Sequence, residues 1–174
     1  EQLVCYTIKR LQEFGCTEVS MKRAFLYKTA MGEVGLAEKD GALTNLFIAG
    51  TVLPAEYILE ETPLLKEAYN QLEEYLSAKR RTFELPFAPE GTDFEQRVWQ
   101  ALLSIPFGQV RTYSQIAQQI GSPKAARAVG RANSRNPISV FIPCHRVIGS
   151  DGSLTGYAGG LKIKEFLLRL EGDL

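Results

Sequence analysis

T-Y-S-Q-I-A-Q-Q-I-G-S-P-K-A-A-R-A-V-G-R-A-N, residues 112–133, decides how the C-terminal half of this chain folds. Thr112 with Gln115 makes a capping-box pattern, in which the hydroxyl accepts from a backbone N–H one turn on and the amide answers the cap's own N–H. A short helix follows and closes at Gly121, a residue at ease in the left-handed conformation that ends helices. Ser122 then caps a second helix with Pro123 at its first position, and Ala125, Ala126, Val129 and Ala132 supply its packing face. Two short helices joined by a Gly-Ser turn read as a helix-turn-helix. An ordinary structural hairpin of helices is the competing reading.

The outward face of the second helix is low and basic. Alanines and Gly130 keep it flat, while Lys124, Arg127, Arg131 and Arg135 charge it. Net charge over the 174 residues is zero, yet residues 96–150 hold seven Lys and Arg and no Asp or Glu, whereas the first 95 residues hold ten basic and sixteen acidic residues. Such a local basic field suits a phosphate backbone, and equally an arginine-rich solvated surface. With only arginine and Asn133 as long polar groups, binding through this face would be dominated by the backbone, with little sequence preference.

Upstream, V-S-M-K-R-A-F-L-Y-K and V-G-L-A-E-K-D-G-A-L-T-N-L-F-I-A carry strand-type residues around an Asp40-Gly41 turn, which predicts a small antiparallel sheet. Thr62-Pro63 opens a helix with Leu65, Ala68, Tyr69, Leu72, Tyr75 and Leu76 on one face. Nothing before residue 80 carries a chemical motif. The stretch 77–91, with two prolines and a glycine, interrupts the helical patterns, so the chain divides into an N-terminal domain (1–81), a linker (82–91) and a C-terminal domain (92–174). Thr92 with Glu95 caps a further helix carrying Phe94, Val98, Trp99 and Leu102, with Trp99 in the core.

Residues 138–142, I-S-V-F-I, predict a short strand delivering Pro143, Cys144, His145 and Arg146. The chain's one histidine stands beside one of its three cysteines. A thiolate is the reactive form of cysteine and is favoured by a nearby base or positive charge, so this pair is either a poised nucleophile or a buried thiol with a polar neighbour. Successive strand side chains face opposite ways, so any Cys144–His145 link would run through water. Cys5 and Cys16 read as small buried residues, with a bond between them left open. One histidine leaves no four-ligand zinc set, and neither metal nor cofactor is expected. No run reaches the roughly eighteen apolar residues of a membrane span and no signal core is visible, which makes a cytoplasmic location, nuclear in a eukaryote, the default.

In combination, F-G-Q-V-R-T-Y, K-A-A-R-A-V-G, R-N-P, I-P-C-H-R-V-I and Y-A-G-G-L-x-x-K-E-F-L-L resemble the O6-methylguanine-DNA methyltransferases, in order from about residue 92 to residue 172. The resemblance implies an α+β fold in two lobes, a small N-terminal sheet-and-helix domain and a mainly helical C-terminal domain. It implies a monomer acting on double-stranded DNA from the minor groove, and single-use transfer of an alkyl group from guanine to Cys144. His145 would be the base, acting through water, and Glu165 would hold the imidazole. Tyr113 would assist nucleotide flipping, Asn136 would brace the turn, and Arg127 would fill the vacated stack from a helix bearing Lys124, Ala126, Gly130, Arg131 and Arg135. The carbonyls of Cys144 and Val147 would accept from the guanine amine, and Tyr157, Ala158 and Gly159 would close the pocket, with Ala158 standing where a serine is common. A helix-turn-helix regulator would need no Cys144, and a cysteine hydrolase or redox sensor would need no arginine helix. An alkyltransferase-like damage binder would lack the cysteine that is present here.

Overall fold

The computed structural model describes residues 21–48 and 53–172. The question of a Cys5–Cys16 bond lies outside the described residues. β1 (Lys22–Thr29), β2 (Gly32–Lys39) and β3 (Ala42–Ile48) form an antiparallel meander, and β4 (Tyr57–Leu59) adds to it in parallel with β1, giving the order β3-β2-β1-β4. The β2–β3 turn has positive φ at both Asp40 (53°) and Gly41 (77°), the primed hairpin geometry whose twist matches the flanking strands.

α1 (Pro63–Leu76) starts where Thr62 accepts from the Leu65 N–H and buries Leu65, Ala68, Leu72, Tyr75 and Leu76 against the sheet. Tyr69, predicted on that face, sits at its margin and stacks on Tyr27 with ring centroids 4.4 Å apart. Gln71 is buried instead, because its side-chain oxygen accepts from the Glu84 N–H at 2.9 Å and pins the segment that leaves the helix. That segment, 82–91, lies against β3: Leu43 donates to Pro86 O at 2.8 Å and Ala88 donates to Leu43 O at 2.9 Å.

In the C-terminal half, α2 (Asp93–Leu103) and α3 (Tyr113–Gln119) carry the two predicted capping boxes, both formed. α4 (Ala126–Ser134) begins later than Ser122 and Pro123 suggest. Residues 122–125 make a turn closed by Ala125 N–H donating to Ser122 O, and the helix has no side-chain cap. Serine followed by proline serves the first two positions of a β-turn as well as a helix start, and here the turn wins. α2 packs on α4 and α3, and Trp99 Nε1 donates to Ala132 O at 2.9 Å, fixing the helix-turn-helix to its support. A two-residue parallel pair, β5 (Arg111–Thr112) with β6 (Val147–Ile148), and α5 (Leu161–Glu171) complete the fold.

Residues 138–142 are not a strand. They form a buried turn with Ile142 N–H donating to Ile138 O and Cys144 N–H donating to Ile142 O. Asn136 organises it, accepting from the Ile138 N–H at 3.0 Å and donating to Ile142 O at 2.8 Å. Val140 is held at φ 75°, rare for a β-branched residue and sustained only because its surroundings over-determine it. A run of five with four apolar residues has no period that separates strand from buried turn.

A single contiguous core joins the halves, running from Leu36 and Leu43 through Tyr75 to Leu102, Ile142 and Leu167. Leu46 of β3 also donates to Pro137 O at 2.7 Å, tying the sheet to the turn before Cys144. Among the described residues no helix is long and apolar enough to cross a membrane. Trp99→Phe removes the donor to Ala132 and part of a buried ring; it is expected to cost about 2 kcal/mol in urea unfolding.

Candidate active site and its basic groove

Cys144 opens a one-turn 3-10 helix (Cys144–Arg146) directly after Pro143 and is 2% exposed. Its carbonyl accepts from Asn133 Nδ2 at 3.1 Å and from the Val147 N–H, so the residue is mounted by α4 on one side and β6 on the other. Burial pushes the thiol up to about 11, while a hydrogen bond with Asn136 and the positive charge of Lys164 pull the other way. A protonated thiol is what this environment holds at neutral pH.

His145 is fully buried, and the carboxylate that holds it is Glu171, not Glu165. His145 Nε2 lies 2.9 Å from Glu171 Oε1. Glu165 sits on the surface of α5, its side chain 45% exposed, and accepts from Arg169 Nη2 at 2.7 Å. The reason is helical phase. Lys164, Leu167, Leu168 and Glu171 fall at i, i+3, i+4 and i+7 and share the buried face, and Glu165 is one step out of register with them.

Glu171 is where four elements converge. Arg146 Nε and Nη2 donate to it at 2.9 and 2.8 Å, Gly108 N–H donates at 3.1 Å, and the Tyr75 hydroxyl donates to Oε1 from α1. Burial works to raise its pKa, but hydrogen bonds from His145 and Arg146 outweigh that and hold the carboxyl at about 2. A permanent carboxylate makes Nε2 the protonated nitrogen of His145. Nδ1, buried and without a protein hydrogen-bond partner, is therefore the lone-pair nitrogen. Burial also lowers the His145 pKa from its ordinary value, against the pull of Glu171, so the ring is neutral at neutral pH and able to accept a proton.

A groove of about 520 Å³ is lined by Tyr113, Ala126, Arg127, Gly130 and Arg131 on the helix-turn-helix and by Gly149, Asp151, Thr155 and Gly156 on the opposite loop; Asn133 Nδ2, which donates to Cys144 O, also donates to Gly156 O on its wall. Arg127 and Arg131 are exposed, as are Lys124 in the turn before α4 and Arg135 at its end. Arg135 is partly spoken for, donating to Glu95 at 3.2 Å. Asn133 is buried and faces Cys144 rather than the groove. The Tyr113 hydroxyl donates to Thr155 O at 2.9 Å and lies so close to Gly156 that a Cβ there would meet it at 3.1 Å. Val147 O accepts from Lys164 Nζ at 2.5 Å, which leaves one lone pair on that carbonyl. Tyr157 is buried, Ala158 is exposed, and Gly159 is crowded by Ile48 of β3, whose Cδ1 would lie 2.4 Å from a Cβ at that position.

Fold and site together define a protein that presents a helix-turn-helix beside a buried thiol with its own histidine–carboxylate pair. Residues 93–173 match the family described as 6-O-methylguanine DNA methyltransferase, DNA binding domain, and residues 23–89 match 6-O-methylguanine DNA methyltransferase, ribonuclease-like domain. A methylated-DNA--protein-cysteine methyltransferase of Methanosarcina barkeri is 53% identical over 84% of this chain and 94% of its own length, and the constitutive one of Bacillus subtilis is 49% identical over 83% and 92%. The crystal structure of Mycobacterium tuberculosis OGT in complex with DNA superposes with a TM-score of 0.80 at 43% identity, covering 86% of this chain and 92% of that one. This chain belongs to the 6-O-methylguanine DNA methyltransferase family.

Glu171→Gln leaves Arg146 buried without its counter-charge and is expected to cost about 3 kcal/mol of unfolding free energy at pH 7. Glu165→Gln is expected to cost under about 0.5 kcal/mol. A carboxyl with a depressed folded pKa contributes its stability fully above the unfolded value of about 4.3 and loses it as pH falls. The gap between wild type and Glu171→Gln should therefore close as pH drops from there towards about 2, read by denaturant titration across that range.

Proposed function

We infer that this chain repairs DNA by taking an alkyl group from O6 of guanine onto Cys144. Its membership of the family and its relatives named for that activity support the reaction class. The observation that carries the residue assignment is the neutral His145 whose Nε2 is tied to Glu171, leaving a buried, unpartnered Nδ1 to act as base for the residue that precedes it in the chain.

The proton of Cys144 passes to His145 Nδ1 through a bridging water. The sulfur then attacks the methyl carbon, the S–C bond forms as the C–O6 bond breaks, and the electron pair leaves on the guanine. Tyr113 gives up its hydrogen bond to Thr155 O and donates to the ring instead as that charge develops. His145 returns its proton to the departing base by way of solvent. The product is a thioether with no hydrolytic way back, so each molecule acts once. Glu171 takes no proton; it holds the imidazole and balances it when charged.

The target atom is inaccessible in a stacked duplex, so the nucleotide has to be flipped, at a cost of about a few kcal/mol. Arg127, exposed on a helix made flat by Ala126 and Gly130, is suited to fill the gap from the minor groove, with Lys124, Arg131 and Arg135 on phosphates. Every group used comes from one chain, so a monomer suffices for the reaction.

Mass spectrometry after incubation with duplex DNA carrying one O6-methylguanine should find one methyl-for-hydrogen increment on Cys144, saturating at one per protein. Cys144→Ala should bind the same duplex and gain nothing; an adduct elsewhere, or none on the wild type, sinks the assignment. Affinity for duplex should fall with salt, and Arg131→Ala should flatten the plot of log affinity against log salt by about one unit. An affinity indifferent to ionic strength would remove the phosphate-contact reading.

A further inference from the structure

Among the described residues, Tyr75 is the side chain of the N-terminal half that bonds to the His145–Glu171 pair. Tyr75 lies in the last turn of α1, on the stripe with Leu65, Ala68 and Leu72, and is fully buried in the shared core. Its ring packs against Phe83 and, edge-on, Phe107, which aims the hydroxyl away from the sheet and into the C-terminal half. There the hydroxyl donates to Glu171 Oε1, the same oxygen that holds His145, and its own oxygen lies 3.2 Å from His145 Nε2. Tyr75 is thus the third member of a triangle whose other corners are the base and its holder.

We propose that Tyr75 is a positioning residue for alkyl transfer, supplied by the N-terminal domain, which fixes His145 and Glu171 relative to one another and sets the basicity of His145. The proposal rests on the reading of His145 as base. Among the described residues, the charged and titratable groups around the imidazole are Glu171 and Lys164 from α5, Arg146 and Cys144 from its own turn, and Tyr75 from α1. Of these, Tyr75 alone comes from the N-terminal domain. Its hydroxyl adds a further hydrogen bond on Oε1, the oxygen that faces His145, so less of that oxygen's charge is available to stabilise a protonated imidazole. Without the hydroxyl, Glu171 attracts the imidazolium more strongly, and His145 titrates at higher pH.

The test uses Tyr75→Phe in the full chain, and a second variant with 3,5-difluorotyrosine placed at position 75, which keeps the ring's shape and makes the hydroxyl a stronger donor. Because His145 is the only histidine, nitrogen-15 NMR of its ring reads tautomer and titration without assignment. In Tyr75→Phe the His145 titration should move to higher pH, and single-turnover methyl transfer from O6-methylguanine duplex should slow by about tenfold with duplex affinity unchanged, the scale on which a loosened base acts. The fluorinated chain should keep wild-type stability and move the titration to lower pH. A His145 titration that is the same in all three proteins, or a Tyr75→Phe chain that transfers at the wild-type rate, overturns the proposal. If the phenylalanine variant fails to fold, the fluorinated chain decides alone by the sign of its shift. The NMR arm stands even if wild type transfers nothing, which separates failure of this proposal from failure of the repair reading.

Discussion

The rest of this molecule depends on a carboxylate kept charged in its interior. Glu171 is the last helical residue of α5, where the helix dipole disfavours negative charge, and its side chain is out of water. Three compensations make that tolerable. The guanidinium of Arg146 grips it through two nitrogens, the Gly108 N–H reaches it from the loop after α2, and the Tyr75 hydroxyl reaches it from α1. Each compensation also ties a different part of the fold to α5, so the electrostatic solution and the tertiary arrangement are one thing. With the carboxylate satisfied, the tautomer of His145 follows, and with the tautomer follows which nitrogen can act on the thiol.

The same logic explains why the thiol can be buried without being inert. A surface cysteine would be easier to ionise, but it would be exposed to any electrophile or oxidant. Here the sulfur is kept protonated by its dry surroundings, mounted between Asn133, Asn136 and β6, with the charge of Lys164 acting on it and a neutral imidazole on the next residue. The groove is built by the helix-turn-helix, whose small residues bring Arg127 and Arg131 forward and whose buried face is fastened to α2 through Trp99.

Much of the local structure is legible in the chain. Thr62, Thr92 and Thr112 announce helix starts because their hydroxyls bond to N–H groups three residues away, and Asp40-Gly41 announces its hairpin because few residue pairs accept positive φ twice. Ser122-Pro123 misleads, because the same two residues begin a turn as readily as a helix. The run 138–142 misleads for a related reason: burial is written in its composition, but the partner that decides between strand and turn is Asn136, a polar residue outside the run.

What the sequence by itself determined is everything that rests on near neighbours and on residue type: the capped helices, the hairpin, the basic helix face, and Cys144 beside the only histidine. What only the tertiary structure decided is which distant groups meet that pair. The choice between Glu165 and Glu171 turns on six residues of helix, nearly two turns, and the phase of Lys164, Leu167 and Leu168 does contain the answer, since Glu171 repeats with them and Glu165 does not. Nothing comparable marks Tyr75, which on the chain is one more apolar member of a helix stripe. Its hydroxyl gains a role when the N-terminal sheet and helix close over α5, because a hydrogen bond between residues 75 and 171 is a property of packing and leaves no local periodicity to read.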